Sequence, residues 1–232
     1  MSKTAILVDG GFFRKRAKHL WGIHSPEDTA KALFNYCKRH LSERTQEHEL
    51  YRIFYYDCPP INKQMFHPLT GKTIDFSKTE QHKWMNEFLD ELKQRRKVAL
   101  RLGIIDENNS SFTLKYASLK KLCSGTIQLS DLTEADFEPD IKQKGVDMKI
   151  GVDIASLAYK KQVDQIVLIA GDSDFVPAAK LARREGIDFV LDPLEAPIKE
   201  ELFEHIDGKR SCGNPYIHKS THKKDENEAY RI

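Results

Sequence analysis

Aspartates follow two separate apolar segments of the chain. Residues Thr4–Val8 lead directly to Asp9, and residues 165–170 lead through Gly171 to Asp172. Short, uninterrupted apolar runs of this kind are typical of strands buried on both faces of a parallel sheet. The carboxyl ends of such strands form one rim, where open α/β sheets bind ligands, so we expect Asp9 and Asp172 to meet there.

A third carboxylate, Asp147, lies in the first turn of a segment with helical periodicity, Val146–Lys160. Helix N-termini lie at the same rim as strand carboxyl ends, which predicts that Asp147 lies near Asp9 and Asp172. The alternative is a favourable charge at a helix N-terminus with no further role. Asp153 is about 9 Å further along that helix axis and points elsewhere. It is either a site residue or the i,i+4 partner of Lys149.

Asp174 follows Asp172 by two residues and has two interpretations. The segment Phe175–Glu185 has a helical pattern, and Pro177 is tolerated only in a first turn, so the helix is expected to start at about Ser173 or Asp174. Asp174 is then either the N-cap of this helix or a further carboxylate of the site.

Three carboxylates within about 4 to 6 Å would repel one another by several kcal/mol per pair at an effective dielectric constant of about 20, so a cation is expected among them. Oxygen ligands without a histidine or cysteine cluster favour Mg²⁺ or Mn²⁺ over zinc. We therefore predict a metal site formed by Asp9, Asp147 and Asp172. A metal-bound water is a suitable nucleophile for phosphodiester hydrolysis, so Asp9, Asp147 and Asp172 are the predicted catalytic residues, and Asp174 keeps its two interpretations.

Strands alternate with helices along the rest of the chain, which predicts an α/β fold. Helices are expected over 12–20, from Ser25-Pro26, after Ser77-Lys78-Thr79-Glu80 and over 197–206. Strands are expected over 50–56, 98–105 and 187–191. Asp57 also ends a strand and is an outer candidate for the site. Segments 58–76 and 106–140 lack a clear period and are interpreted as insertions or irregular segments.

Composition limits the class of protein. The chain has 232 residues, of which 40% are hydrophobic and 31% charged, with a mean hydropathy of −0.57. These values are typical of a globular protein, and the sequence contains no membrane segment or signal peptide, so a cytoplasmic location is expected. The four cysteines form no Cys-x-x-Cys pair, which argues against a zinc ribbon.

A formal net charge of +2 means that a polyanionic partner must be bound by a local patch. Basic residues flank the acids and are candidates for binding phosphates of a nucleic acid, although a solvated surface is the alternative: Arg14, Lys142, Lys144 and Lys149. The aromatic residues Phe12, Phe13, Tyr55 and Tyr56 either stack on bases or belong to the core. His218 and His222 are interpreted as solvated residues.

The motifs ILVDGG, KGVDMKIGVDI and LIAGDSDF together resemble the NYN domain, in the LabA-like branch of the PIN-type nucleases, over about Thr4–Pro193. The resemblance implies an α/β/α sandwich around a mostly parallel sheet, a divalent metal held by the residues matching Asp9, Asp147 and Asp172, with Asp174 as a further candidate, and cleavage of RNA. It also implies a nuclease domain over residues 1–207 and leaves 208–232 as a polar, basic tail. Many relatives have Asp-Gly-x-Asn, and Phe12 occupies the position of that Asn.

Two functions from different classes remain open at this point. The first is a metal-dependent endoribonuclease that cuts single-stranded RNA. The second is a non-catalytic RNA-binding or regulatory adaptor that retains the fold. An Asp-x-Asp phosphatase is disfavoured because that pair normally follows the first strand, where Asp9 stands alone. A homo-oligomer is left open.

Overall fold

The computed structural model describes residues 2–42 and 47–217. His218, His222 and the part of the predicted tail beyond Ile217 lie outside the described residues. The described ranges divide into two compact units, one formed by residues 2–57, 87–103 and 145–217 and the other by residues 58–86 and 104–144. The predicted domain limit at residue 207 stays a prediction.

Within the described ranges the strands are β1 (Ser2–Asp9), β2 (His48–Asp57), β3 (Gln64–Phe66), β4 (Thr73–Asp75), β5 (Val98–Leu102), β6 (Ile104–Ile105), β7 (Ser111–Leu114), β8 (Phe137–Asp140), β9 (Gln143–Lys144), β10 (Gln165–Ile169), β11 (Asp188–Asp192) and β12 (Gly208–Lys209). The α-helices are α1 (Gly10–Trp21), α2 (Pro26–Arg39), α3 (Glu80–Lys93), α4 (Tyr116–Cys123), α5 (Val146–Tyr159), α6 (Val176–Arg184) and α7 (Glu200–Phe203). No helix in these ranges is both long enough and apolar enough to cross a membrane.

The first unit is organised around a six-stranded sheet with the order β12-β11-β10-β1-β2-β5, and each neighbouring pair is parallel. The chain winds outward from β1 through β2 to β5, then returns to β10 on the other side of β1 and winds outward again. The winding direction therefore reverses between β1 and β10, where open α/β sheets form a ligand crevice at the strand carboxyl ends. Val8 is in register with Ile169, so Asp9 lies at this rim.

Both faces of the sheet are covered, which explains why its central strands are continuously apolar. Ala5 and Leu7 belong to a buried cluster with residues of α5 and α6. Val8 points to the opposite face, where its register partner Tyr55 makes an edge-to-face ring contact with Phe88 of α3. Side chains of α1 and α2 also contact this second face. The predicted α/β/α sandwich around a mostly parallel sheet is confirmed.

The second unit contains more regular structure than its sequence pattern predicted. Antiparallel pairs form between β3 and β4, between β7 and β8, and between β6 and β9. The interpretation of residues 58–76 as a loop is therefore wrong for β3 and β4. His67 is buried against the rings of Phe112 and Phe137, so the cluster combines segments far apart in sequence. Strands of two to four residues are too short to show a period.

Helix limits in the first unit differ from prediction at three places. Helix α1 begins at Gly10 and not at Phe12, because Asp9 caps it. The segment 197–206 forms only the short helix α7, over Glu200–Phe203. A 3₁₀ turn over Ser173–Phe175 precedes α6. The start of α2 after Ser25 is confirmed, and Ser25 accepts the predicted capping bond from the Asp28 N–H.

Candidate active site

Asp9 lies at the junction of β1 and α1, at the point where the winding of the sheet reverses. Its carboxylate accepts a hydrogen bond of 3.0 Å from the Phe12 N–H, which fixes its orientation. Burial raises the pKa of Asp9 to about 6, and the negative charges of Asp147 and Asp57 add to this, while the Phe12 N–H acts in the opposite direction. This pKa means that the negative charge of Asp9 is poorly hydrated, lies near other negative charges and is not sufficiently balanced by the described cations of the protein.

Asp147 is the second residue of α5, which follows Gly145 in a left-handed conformation with φ of 82°. Burial raises the pKa of Asp147, and the carboxylates of Asp172 and Asp174 raise it further. Asp147 therefore interacts electrostatically with Asp9 on one side and with the Asp172 and Asp174 pair on the other. Asp9 and Asp172 follow the adjacent parallel strands β1 and β10, and Asp147 is within electrostatic range of both.

Asp172, and not Asp174, caps the turn before α6. The Asp172 carboxylate accepts a hydrogen bond of 3.2 Å from the Asp174 N–H, whereas Asp174 is the second residue of the 3₁₀ turn over Ser173–Phe175. The interpretation of Asp174 as the cap is therefore wrong. The extra 3₁₀ turn moves the cap two residues earlier than the pattern of an α-helix predicts. Both side chains are exposed.

We expect Asp172→Ala to lower the free energy of unfolding by about 1 kcal/mol, since it removes the capping oxygen. Asp172→Asn retains an acceptor and should stay within about 0.5 kcal/mol of the wild type. Urea denaturation followed by circular dichroism measures both, with Asp174→Ala as the matched control. A larger loss for Asp174→Ala than for Asp172→Ala would contradict this assignment.

Asp57, the outer candidate, is buried behind Asp9 and is neutralised by a cation. Arg14 donates from Nε at 3.0 Å and from Nη2 at 2.9 Å to the two carboxylate oxygens, and the Tyr55 hydroxyl donates at 2.8 Å. A Cβ at Gly10 would overlap both Asp57 Oδ2 and the Tyr55 hydroxyl, so only glycine fits there. The first glycine of the Asp-Gly-Gly motif thus has a packing role beside Asp9.

Phe12 contacts the second motif loop. A Cβ at Gly171 would overlap the Phe12 ring, so this ring lies directly against the Gly171 backbone. The Phe12 side chain therefore connects the first turn of α1 to the loop after β10. Phe13, Tyr55 and Tyr56 are fully buried. Of the two interpretations, stacking on bases or packing in the core, the second is correct for these three residues.

The predicted phosphate-binding residues have different surroundings. Arg14 is bound to Asp57, and its side chain remains 25% exposed. In the second unit, Lys142 pairs with Asp140 at 2.6 Å and Lys144 pairs with Asp106. Lys149, on α5, is exposed. Their binding of nucleic acid stays a prediction.

Asp153 does not use Lys149 as its partner. It accepts hydrogen bonds from the Tyr56 hydroxyl at 2.8 Å and from Arg101 Nε at 3.1 Å. The i,i+4 interpretation is therefore wrong, because the carboxylate forms its hydrogen bonds with residues of the neighbouring strands β2 and β5. These contacts tie α5 to β2 and β5.

A cavity of ≈ 430 Å³ lies beside the acids, between α5 and α6. Asp147 and Asp174 line it, together with the mainly apolar set Met148, Gly151, Ala155, Phe175, Pro177, Ala178 and Leu181. A space of this size next to carboxylates is large enough for part of a nucleotide.

The donor set fits a hard divalent cation in its chemistry. The acids offer carboxylate oxygens, and mutual repulsion and burial raise the pKa values of Asp9 and Asp147. A divalent ion would offset this repulsion. As placed in residues 2–42 and 47–217, no three His, Cys, Asp or Glu side chains already form a metal-binding group.

The sequence profile of the NYN domain matches residues 68–202, which is more than half of the chain. The chain belongs to the NYN domain family. The matched range includes the KGVD and GDSDF motifs and begins after β1, so it does not include Asp9. NYN domains are grouped with the PIN-like nucleases, which generally use divalent metals. The LabA-like branch stays a prediction.

Two further similarities accompany the NYN assignment. An uncharacterized protein of Methanocaldococcus jannaschii is 36% identical over 50 residues, which is 22% of this chain and 21% of that protein. The chain thus spans about a fifth of that relative's length. A solved structure of a protein of unknown function from Vibrio parahaemolyticus is similar with a TM-score of 0.46 and 16% identity, over 92% of this chain and 94% of that one.

Proposed function

We propose that this NYN domain protein is a divalent-metal-dependent endoribonuclease that hydrolyses phosphodiester bonds of single-stranded RNA. The observation that carries the proposal is the placement of Asp9 and Asp172 just after the adjacent parallel strands β1 and β10, where the winding of the sheet reverses. Family membership supports a nuclease activity, and the mutual repulsion of the acids supports a cation among them.

Asp9, Asp147 and Asp172 would hold Mg²⁺ or Mn²⁺ in this proposal. When bound, such an ion would supply an activated water for attack on phosphorus and would stabilise the charge that develops on the phosphate. Asp9 is oriented by the Phe12 N–H and Asp172 by the Asp174 N–H. Two ligands are thus held by backbone groups before the substrate arrives, which reduces the reorganisation needed during catalysis.

The surroundings of the acids would bind the RNA strand. Asp174 lies at the edge of the ≈ 430 Å³ cavity and is suited to orient water near the scissile phosphate. The cavity gives an apolar surface for a base or sugar. Arg14 and Lys149, in the same unit as the acids, are the basic residues proposed for the phosphates.

The direct test is cleavage of end-labelled single-stranded RNA by purified protein with Mg²⁺ or Mn²⁺. Internal cuts are expected that disappear with EDTA and return when excess metal is added. An exonuclease ladder, or cleavage that continues in EDTA, would contradict the proposal.

Metal binding should stabilise the fold. We expect Mn²⁺ at about one hundred times its dissociation constant to add about 2.7 kcal/mol to the free energy of unfolding. Differential scanning calorimetry across a Mn²⁺ titration measures this effect, with Asp9→Asn as the variant in which it should shrink. An unchanged melting temperature, together with no heat of binding in titration calorimetry, would refute the metal site.

The second candidate is a non-catalytic RNA-binding adaptor. Phe12 favours it, because the ring fills the place of a polar side chain beside Asp9 and packs on Gly171. Tight RNA binding without cleavage in either metal would support the adaptor and exclude the nuclease.

A further inference from the structure

The loop that follows β11 has an unusual backbone. Leu194 and Glu195 both have positive φ values, 47° and 60°, although neither is glycine. Such conformations cost free energy for residues with side chains and persist only where the surroundings impose them. The loop over residues 193–199 leads from the rim of the sheet to α7.

A buried carboxylate imposes this conformation. Asp192, at the end of β11, has no exposed surface and accepts hydrogen bonds with both oxygens. Oδ1 accepts from the Leu194 N–H at 2.8 Å and from the Ser211 hydroxyl at 2.7 Å. Oδ2 accepts from the Tyr36 hydroxyl at 2.6 Å and from His40 Nε2 at 2.9 Å.

Helix α1 supports the same loop. The Arg16 guanidinium donates two hydrogen bonds to the Leu194 carbonyl, at 3.1 Å from Nε and 2.8 Å from Nη2. The helix that Asp9 caps therefore also holds the loop after β11. This gives the loop a defined position relative to the acids, since both are fixed to α1.

The loop ends at Lys199, whose amino group contacts the Gly171-Asp172-Ser173-Asp174 loop. Lys199 Nζ donates to Ser173 Oγ at 3.0 Å, and Ser173 stands between the two exposed acids. Lys199 is itself exposed, and the ion pairs found among the described residues do not include it. Its charge faces the acidic rim without being neutralised by a carboxylate, unlike those of Arg14, Lys142 and Lys144.

We propose that Lys199 is the substrate-binding cation of this site and contacts a phosphate oxygen of the RNA strand next to the acids. The proposal rests on the proposed function and adds a residue to it. An ammonium group beside carboxylates that hold a metal is suited to bind the phosphate from the other side, because charged hydrogen bonds to phosphate are short and strong. Ser173 would keep the lysine in place until the phosphate accepts its hydrogen bond.

The sequence pattern did not single out Lys199, because it lies 27 residues after Asp172 along the chain, outside both acidic motifs. The path of the loop after β11 is what brings Lys199 next to Ser173. Nothing in its local sequence distinguishes it from the other exposed lysines.

The test compares Lys199→Met, Lys199→Arg and the control Lys160→Met on labelled single-stranded RNA with Mn²⁺. Lys160 ends α5, about 20 Å from the turn that carries Asp147, so its loss should change nothing. Lys199→Met should reduce kcat/KM about ten-fold or more, and Lys199→Arg should restore most of it. The salt dependence of binding should become shallower in Lys199→Met.

The outcomes separate this inference from the proposed function. Cleavage by the wild type with Lys199→Met within two-fold of it would overturn the role of Lys199 and leave the nuclease intact. Equal losses in Lys199→Met and Lys199→Arg would also overturn it, since they indicate packing and not charge. If the wild type does not cleave, RNA affinity decides: about ten-fold weaker binding by Lys199→Met alone supports the inference, and unchanged binding refutes it.

Discussion

Asp9→Asn is expected to abolish RNA cleavage and, at the same time, to make the metal-free protein more stable. Loss of a proposed metal ligand removes several kcal/mol of transition-state stabilisation, so activity should fall by at least about 100-fold. Asp172→Asn should have the same effect on cleavage. The exposed Asp90→Asn, which disrupts only a surface pair with Lys93, is the matched control and should retain full activity.

The stability gain follows from the pKa of Asp9. Burial disfavours the charged form of this carboxyl and raises its pKa from the ordinary value of 3.8 to about 6 in the folded protein. The folded state therefore binds the proton more tightly, and stability falls as the pH rises from about 4 through 6. At pH 7 the neutral Asn should recover about 1 to 3 kcal/mol of this penalty.

Urea denaturation at pH 7 and pH 4 in EDTA measures the effect, and the difference between the variant and the wild type should shrink at the lower pH. A less stable Asp9→Asn protein at pH 7 would show that the carboxylate is a structural group. Unchanged cleavage by Asp9→Asn and Asp172→Asn would indicate a contaminating nuclease.

The largest loss of stability is expected for Asp192→Ala. This side chain is fully buried and accepts hydrogen bonds from Leu194, Ser211, Tyr36 and His40. Removing it leaves His40 and the Tyr36 hydroxyl buried without their acceptor, which typically costs about 3 to 5 kcal/mol. Chemical denaturation measures the loss, and Asp90→Ala should stay within about 0.5 kcal/mol of the wild type.

The pH dependence identifies the His40 part of this network. Burial has the largest single effect and lowers the pKa of His40, but the interactions with Asp192 and Cys212 together outweigh it, and the pKa rises to about 9. The folded pKa is above the ordinary histidine value of 6.5, so the stabilisation is complete below pH 6.5 and is lost as the pH rises through 9. Asp192→Asn should remove this dependence, since the neutral amide does not favour imidazolium.

A wild-type protein whose stability is flat between pH 6.5 and 9 would show that His40 is neutral in the fold. A loss below about 1 kcal/mol for Asp192→Ala would show that water replaces the carboxylate. In either case the loop that carries Lys199 would need another explanation for its positive φ values.

The sequence by itself determined the buried parallel strands, the helices between them and the position of acids at strand ends, because each of these depends on local periodicity and on residues adjacent in the chain. The start of α2 at Ser25 and the α/β/α class were predictable for this reason. The catalytic and metal-binding roles of Asp9, Asp147, Asp172 and Asp174 stay predictions.

Only the tertiary structure decided which partner each charged group has. Arg14 pairs with Asp57 and Asp153 with Arg101, although 43 and 52 residues separate these pairs. Asp192 received no role from the sequence, yet it joins α2, β11 and the segment after β12. Such contacts depend on how distant strands and helices are arranged in the folded protein. The local sequence pattern carries no information about that arrangement.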